Sequence, residues 1–178
     1  YSILNSILSN FQSSNTKTIV PKAGFSIDKK MFNFSLSAGT SIYQFDNFSD
    51  YLGNQLQLNK NYIVPDANMR LNVKFTKTQS VWLSYNYLTD LPSSSQILPV
   101  ENLSNPLYTY KGNANLDLNK KHNFYFTYRN YDNATRSGYG FNLGGNINEN
   151  QIVSSSIYES SGKRTTSYEN VSGTNNFW

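Results

Sequence analysis

The sequence predicts an all-β fold: an antiparallel up-and-down meander of about seven long strands that forms part of a larger transmembrane β-barrel. Three observations carry the prediction. Apolar and polar residues alternate with a period of two over runs such as 67–75 and 139–147, the mark of a strand with two unlike faces. The polar positions hold Asn, Ser, Thr and Gly more often than charge. Only 15% of residues are charged, against about a quarter in an ordinary soluble domain. Finally, short and long connections alternate, and barrels that cross membranes carry short turns at one rim and long loops at the other.

Residues 1–11 place Ile3, Leu4, Ile7, Leu8 and Phe11 at helical spacing in a Ser- and Asn-rich stretch, which predicts a loop with a single helical turn. From Thr18 the period becomes two. Ile19, Pro21, Ala23, Phe25 and Ile27 share one face; Lys22, Gly24, Ser26 and Asp28 share the other. A tight turn at 28–30 leads to Phe32, Phe34, Leu36, Ala38, Thr40 and Ile42, alternating with Asn33, Ser35, Ser37, Gly39 and Ser41. Residues 46–61 then read as a longer connection. The cleanest strand follows, with Ala67, Met69, Leu71, Val73 and Phe75 set against Asn68, Arg70, Asn72, Lys74 and Thr76.

Lys77-Thr78 turns the chain into Val81, Leu83, Tyr85 and Tyr87, opposed by Trp82, Ser84 and Asn86. After a long excursion, Phe124, Phe126 and Tyr128 alternate with Asn123, Tyr125, Thr127 and Arg129. Asp132-Asn133 turns into Tyr139, Phe141, Leu143, Gly145 and Ile147. Residues 152–158 and 164–178 are expected to finish the meander as one further pair of wall strands. Nine-residue apolar bands at about 3.3 Å per residue reach roughly 30 Å, and a tilted membrane strand needs about nine to eleven residues. The alternation therefore turns Phe34, Leu36, Met69, Leu71, Val73 and Leu143 towards lipid, and Arg70, Asn72, Lys74 and Asn142 towards a lumen. Aromatics near the band ends (Tyr85, Tyr87, Tyr128, Tyr131, Tyr139, Phe141) fit interfacial girdles.

The excursion over 90–119 is far longer than an ordinary connection, and such loops are functional or disordered. Pro106 removes a backbone donor and Gly112 permits positive φ, so turn chemistry shapes it. Tyr108 and Tyr110 amid Asn105, Asn113, Ser and Lys suit polar and stacking contacts with a ligand; the competing reading is that 105–116 merely folds back onto the rim.

Composition excludes several classes. Fourteen Tyr and eleven Phe oppose disorder. The formal charge of +4 is mild and its Lys and Arg are dispersed, so no nucleic-acid partner is expected. Cysteine is absent, which leaves no disulfide or thiolate site. Residues 1–11 lack the pattern of a secretory leader, and no apolar run approaches the eighteen or so residues of a membrane helix. The first residue is Tyr, and the whole span 1–178 reads as a partial barrel domain cut at both ends, with no plug domain inside it.

The run Asn105-Pro106, Gly112-Asn113-Ala114-Asn115-Leu116 and His122-Asn123-Phe124 resembles a signature of TonB-dependent-receptor-like outer-membrane β-barrel proteins, in which NP, a short spacer and GNPNL precede a strand. Ala114 stands where that family usually has proline, and Leu118-Asn119 replaces a Lys-Pro-Glu type run. The stretches 93–100 and 152–171 are also similar to the family's approach and following hairpin. The resemblance implies active nutrient uptake across the outer membrane of a Gram-negative bacterium. It implies as partners outer-membrane lipid, a plug domain, further barrel strands and an energy-coupling inner-membrane complex. The alternative is a soluble or surface-exposed β-sheet binding module, for instance for glycan, using Trp82 or Tyr108 and Tyr110 as stacking platforms.

No catalytic, metal or cofactor set emerges. His122 is the one histidine, and a turn-flanking role fits it better than a ligand role. Asp46, Asp50, Asp66, Asp90 and Glu101 lie in or beside loops; they would serve as a catalytic pair only if the fold brought two of them within several ångströms, which spacing does not show. Gly138-Tyr139-Gly140 and Gly144-Gly145 lack a following helix, so no phosphate loop is expected. The N-x-S/T triplets at Asn47, Asn102, Asn133 and Asn170 are what chance gives in so Asn- and Ser-rich a chain.

Overall fold

The computed structural model describes residues 10–51, 54–98, 101–102, 105 and 107–178. The helical turn expected near the N-terminus lies largely outside these residues, as does Pro106. The strands are β1 (Asn10–Ile19), β2 (Lys22–Lys29), β3 (Phe32–Tyr51), β4 (Asn54–Lys74), β5 (Gln79–Asp90), β6 (Glu101–Asn102), β7 (Tyr108–Lys111), β8 (Asn119–Asp132), β9 (Ser137–Glu149), β10 (Gln151–Tyr158), β11 (Arg164–Val171) and β12 (Thr174–Phe177). One short helix, α1 (Ser94–Ile97), follows β5. The larger sheet runs β1-β3-β4-β5-β8-β9-β12, with β2 also on β3; a second sheet runs β10-β11-β7-β6.

β1 and β2 are one wall strand interrupted at Val20-Pro21, since both pair with successive parts of β3. Proline has no N–H for the ladder, but its carbonyl still accepts from Thr40 N at 3.1 Å. The wall is an antiparallel meander, as the alternation predicts, and has seven strand positions, the last of them filled by β12. Among the described residues its first and last strands do not pair with each other, so the wall is an open sheet.

Register sorts the side chains into rows. Ile27, Phe34, Leu71, Leu83, Phe126 and Leu143 stand opposite one another across six strands, with Phe25, Leu36, Met69, Tyr85 and Phe124 in the next apolar row. Between them, on the other face, lies Ser26, Ser35, Arg70, Ser84, Tyr125 and Gly144; beyond it lies Asp28, Asn33, Asn72, Trp82, Thr127 and Asn142. Phe25 and Leu143 are each 55% exposed. Among the described residues no layer of protein covers the apolar face, which suits lipid and not a soluble sandwich. On the polar face, Asn68, Asn86, Asn123, Asn146 and Asn176 form a row across five strands. The Asn68 amide donates to Asn86, and Asn176 Nδ2 donates to Asn146 Oδ1 at 3.3 Å.

Four expectations are corrected. Residues 46–61 are not a loose connection: β3 and β4 stay paired from Phe32↔Val73 to Tyr51↔Asn54. Their outer half lacks the apolar alternation because it extends beyond the apolar band. Second, 152–158 and 164–171 leave the wall and form β10 and β11 of the other sheet; only β12 returns to pair with β9. Third, the first turn is at 30–31, closed by Lys29↔Phe32. Fourth, Tyr131 falls on the polar face beside Arg129, whose guanidinium lies 5.0 Å from its ring centroid, and not in a lipid-side girdle.

The compact core is not in the wall. Phe45, Ile97 and Leu116 are buried together, with Leu58, Ile152 and Tyr168 packed against them. They come from the β3–β4 extension, the 90–119 excursion and the β10–β11 hairpin, all at the long-loop end. Phe45 and Leu58 occupy the polar-face side of the extended hairpin, so the excursion folds inward over that side.

Candidate functional site at the loop end

The β5–β8 excursion is ordered by its own polar side chains. Gln96 Oε1 accepts from Ser93 N at 2.9 Å and starts α1, which buries Ile97. Gly112 does not need the left-handed region, contrary to expectation, since positive φ among the described glycines occurs only at Gly162 and Gly173. It is required by close approach: a Cβ there would stand 1.8 Å from the Leu98 carbonyl oxygen. Asn113 N donates to the Gln96 carbonyl at 2.7 Å, closing the fold of the loop.

Three clamps tie this loop to its neighbours. Lys60 Nζ donates to the carbonyls of Ala114 (2.6 Å) and Leu116 (3.2 Å). Burial lowers the Lys60 pKa below the ordinary lysine value, and the Asp117 carboxylate opposes that shift. Burial, reinforced by Asp117, raises the Tyr62 phenol. Asn170 accepts from Asp117 N at 2.8 Å and donates to the Asp117 carbonyl at 3.1 Å. Asn113 Nδ2 donates to the Tyr168 carbonyl at 2.9 Å.

These clamps bring β7 alongside β11 in a parallel pairing of Tyr108 with Arg164 and Tyr110 with Thr166. Arg164 stands opposite Tyr158 on β10. Tyr108, Arg164 and Tyr158 therefore occupy one row over three adjacent strands, at about 4.8 Å per strand. The Arg164 guanidinium is held by Ser156 Oγ at 3.1 Å and lies 5.8 Å from the Tyr158 ring centroid. Tyr108, Tyr110 and Tyr158 are 50%, 48% and 70% exposed. Two phenols flanking a guanidinium offer ring faces for stacking and donors for hydroxyl or carboxylate groups.

Of the four loop residues picked from sequence, Tyr108 and Tyr110 are the two this surface presents. Asn105 is exposed, and its side chain accepts from Leu107 N at 3.0 Å in a local turn. Asn113 accepts from Asn115 N at 2.9 Å as well as donating to Tyr168, so its amide is taken up by backbone. It borders an open concavity with Lys111, Asn115, Ser167 and Glu169. Arg70, Asn72, Lys74 and Asn142 lie far down the wall on its polar face and join no part of the loop surface. Sequence reading missed Tyr158, Arg164 and the clamps Lys60 and Asn170. Nothing local marks them: Lys60, Asn170 and Arg164 meet Ala114, Asp117 and Tyr108 across more than 50 positions, and Tyr158 joins the surface only through its pairing with Arg164.

His122 lies inside β8, 2.8 Å from the Tyr85 hydroxyl through Nδ1 and 3.5 Å from Glu149 through Nε2. Asp66 and Asp90 are paired with Lys22 and Lys121. Among the described residues no three His, Asp or Glu gather as a metal set. A family model described as outer membrane protein beta-barrel family matches residues 15–177. No curated protein matches the chain.

Proposed function

The chain belongs to the outer membrane protein beta-barrel family and lies in the outer membrane of a Gram-negative bacterium, and we propose that it is wall and loop of a TonB-dependent receptor-like barrel for nutrient uptake. On this reading the apolar rows meet lipid and the polar rows line the lumen. A plug domain, additional strands and an energy-coupling inner-membrane complex are the partners, and no catalytic step is involved. The 105–124 motif supports the family assignment. The observation that carries the role is the inward-folded excursion. It is clamped over the polar-face side by Lys60 and Asn170, and presents Tyr108, Tyr110 and Tyr158 as an outer contact surface. Ligand would meet this surface before passing the wall.

The test is replacement of Tyr108, Tyr110 and Tyr158 together by Ala in the full-length protein, with surface expression and growth on candidate nutrients measured side by side. Normal expression with uptake reduced about tenfold or more is expected, since each ring removed forfeits stacking of order 1 kcal/mol. Unchanged uptake would leave the surface without this role.

A further inference from the structure

The charges on the polar face are not evenly spread. At the long-loop end they are paired: Lys22 with Asp66, and Lys121 with Asp90. At the short-turn end stand Lys74, Lys77 and Arg129, and among the described residues none of these three has a carboxylate within ion-pair distance. The two acids at this end are engaged locally. Asp28 accepts from the Asn33 amide, and Asp132 accepts from Ala134 N and Thr135 Oγ1. A cationic surface is thus left without its complement.

Its geometry suits a single ligand. Register sets Lys74, Ser80, Arg129 and Gly140 in one row over four strands. Lys74 and Arg129 flank Ser80 at about 10 Å between their backbones, a gap that two long cationic side chains close from either side. Lys74, Lys77 and Arg129 line one open concavity of about 220 Å³, together with Ser80 and Tyr131. The Arg129 guanidinium carbon lies 5.0 Å from the Tyr131 ring centroid, a cation–π distance, and a guanidinium offers paired N–H groups to a bidentate acceptor. Gly140, next in the row, contributes no side chain to crowd those groups.

We propose that this end of the polar face binds a phosphate-class oxyanion, with Lys74 and Arg129 as the direct cationic contacts, Lys77 completing the field and Ser80 donating a hydroxyl. Because the row opposes the apolar face that carries Leu71 and Val73, a phosphate carried by a solute is favoured over one carried by a lipid headgroup. The site is separate from the loop surface and does not depend on its role.

The experiment uses full-length protein. Inorganic phosphate is titrated into detergent-solubilised wild type, K74Q/R129Q and K17Q by calorimetry at low and moderate salt. In parallel, nanodiscs of phosphatidylcholine with and without phosphatidylglycerol are scored for retained anionic lipid by native mass spectrometry. Binding of phosphate that weakens about tenfold or more in K74Q/R129Q, weakens with salt and persists in K17Q supports a soluble ligand. Retention of phosphatidylglycerol by wild type and its loss in K74Q/R129Q, without phosphate binding, supports the same chemistry supplied by a headgroup. If the double variant fails to fold, K77Q, in an exposed turn, carries the comparison with a smaller loss. Absence of both kinds of binding, or binding equal in wild type and variant, overturns the proposal.

Discussion

Lys60 Nζ lies 2.6 Å from the carbonyl oxygen of Ala114, although 54 positions separate the two residues in the chain. This contact joins the β3–β4 extension to the loop between β5 and β8, and the second bond, to Leu116, makes it a two-point latch. Replacing Lys60 by Met keeps the aliphatic reach and removes both bonds. The expected cost is about 1.5 kcal/mol, the low end for bonds to a charged group because the site is partly exposed. It should appear as faster amide exchange at Leu116 and Leu118, with the wall ladder around Leu71 unchanged. Equal protection in wild type and variant would show that the latch carries no stability.

Burial holds the Lys60 pKa below the ordinary lysine value, so this ammonium gives up its proton at lower pH than a free lysine side chain would. Above that midpoint the latch loses its charge-assisted bonds. Asp117→Asn removes the charge that opposes the shift, and should move the midpoint lower still. An NMR titration of isotopically labelled lysine side chains reads both values. A rise on removing Asp117 would contradict the electrostatic assignment.

The two faces of β4 make a paired test of orientation. Leu71 stands between Phe34 and Leu83 in an apolar row, and Asn72 between Asn33 and Trp82 in a polar one. Leu71→Arg is expected to cost about 2–4 kcal/mol if that row meets mid-membrane lipid, and Asn72→Arg much less. Folding yield into bilayers and denaturant midpoints would measure the difference. Equal losses at both positions would argue against the assignment of faces.

At Gly112 the prediction is steric. A methyl group there would meet the Leu98 carbonyl oxygen and carbon at 1.8 and 2.6 Å, both backbone atoms that cannot swing aside. Gly112→Ala should therefore destabilise the loop end by about 1–3 kcal/mol, reported by proteolysis within the excursion while heat-resistant wall structure persists. A variant loop as resistant as wild type would mean that 98–112 relaxes freely.

Much of the wall was legible because a strand displays its two environments residue by residue. Leu71 and Asn72 differ in polarity for the same reason that they differ in facing, and no long-range information is needed to see it. The short turns at 75–78 and 133–136 were legible in the same way, from turn residues between two alternating runs. Alternation alone does not say which sheet a strand joins. Residues 152–158 read from sequence as one more extended segment of the meander, yet β10 pairs with β11 away from the wall. Where the β3–β4 hairpin leaves the apolar band, its outer face no longer needs to be apolar, so Asp46, Asn59 and Asn61 read as a loop although backbone pairing continues to Tyr51↔Asn54. The loop surface is the least local feature of all. Tyr108 meets Arg164 in a parallel pairing across 56 positions, and Lys60 and Asn170 act on backbone carbonyls that any residue would supply. Sequence alone determined the faces of the strands, because burial acts on each side chain separately. Tertiary structure decided which strands meet and what the long excursion covers, because those depend on backbone partners that carry no signature of their own.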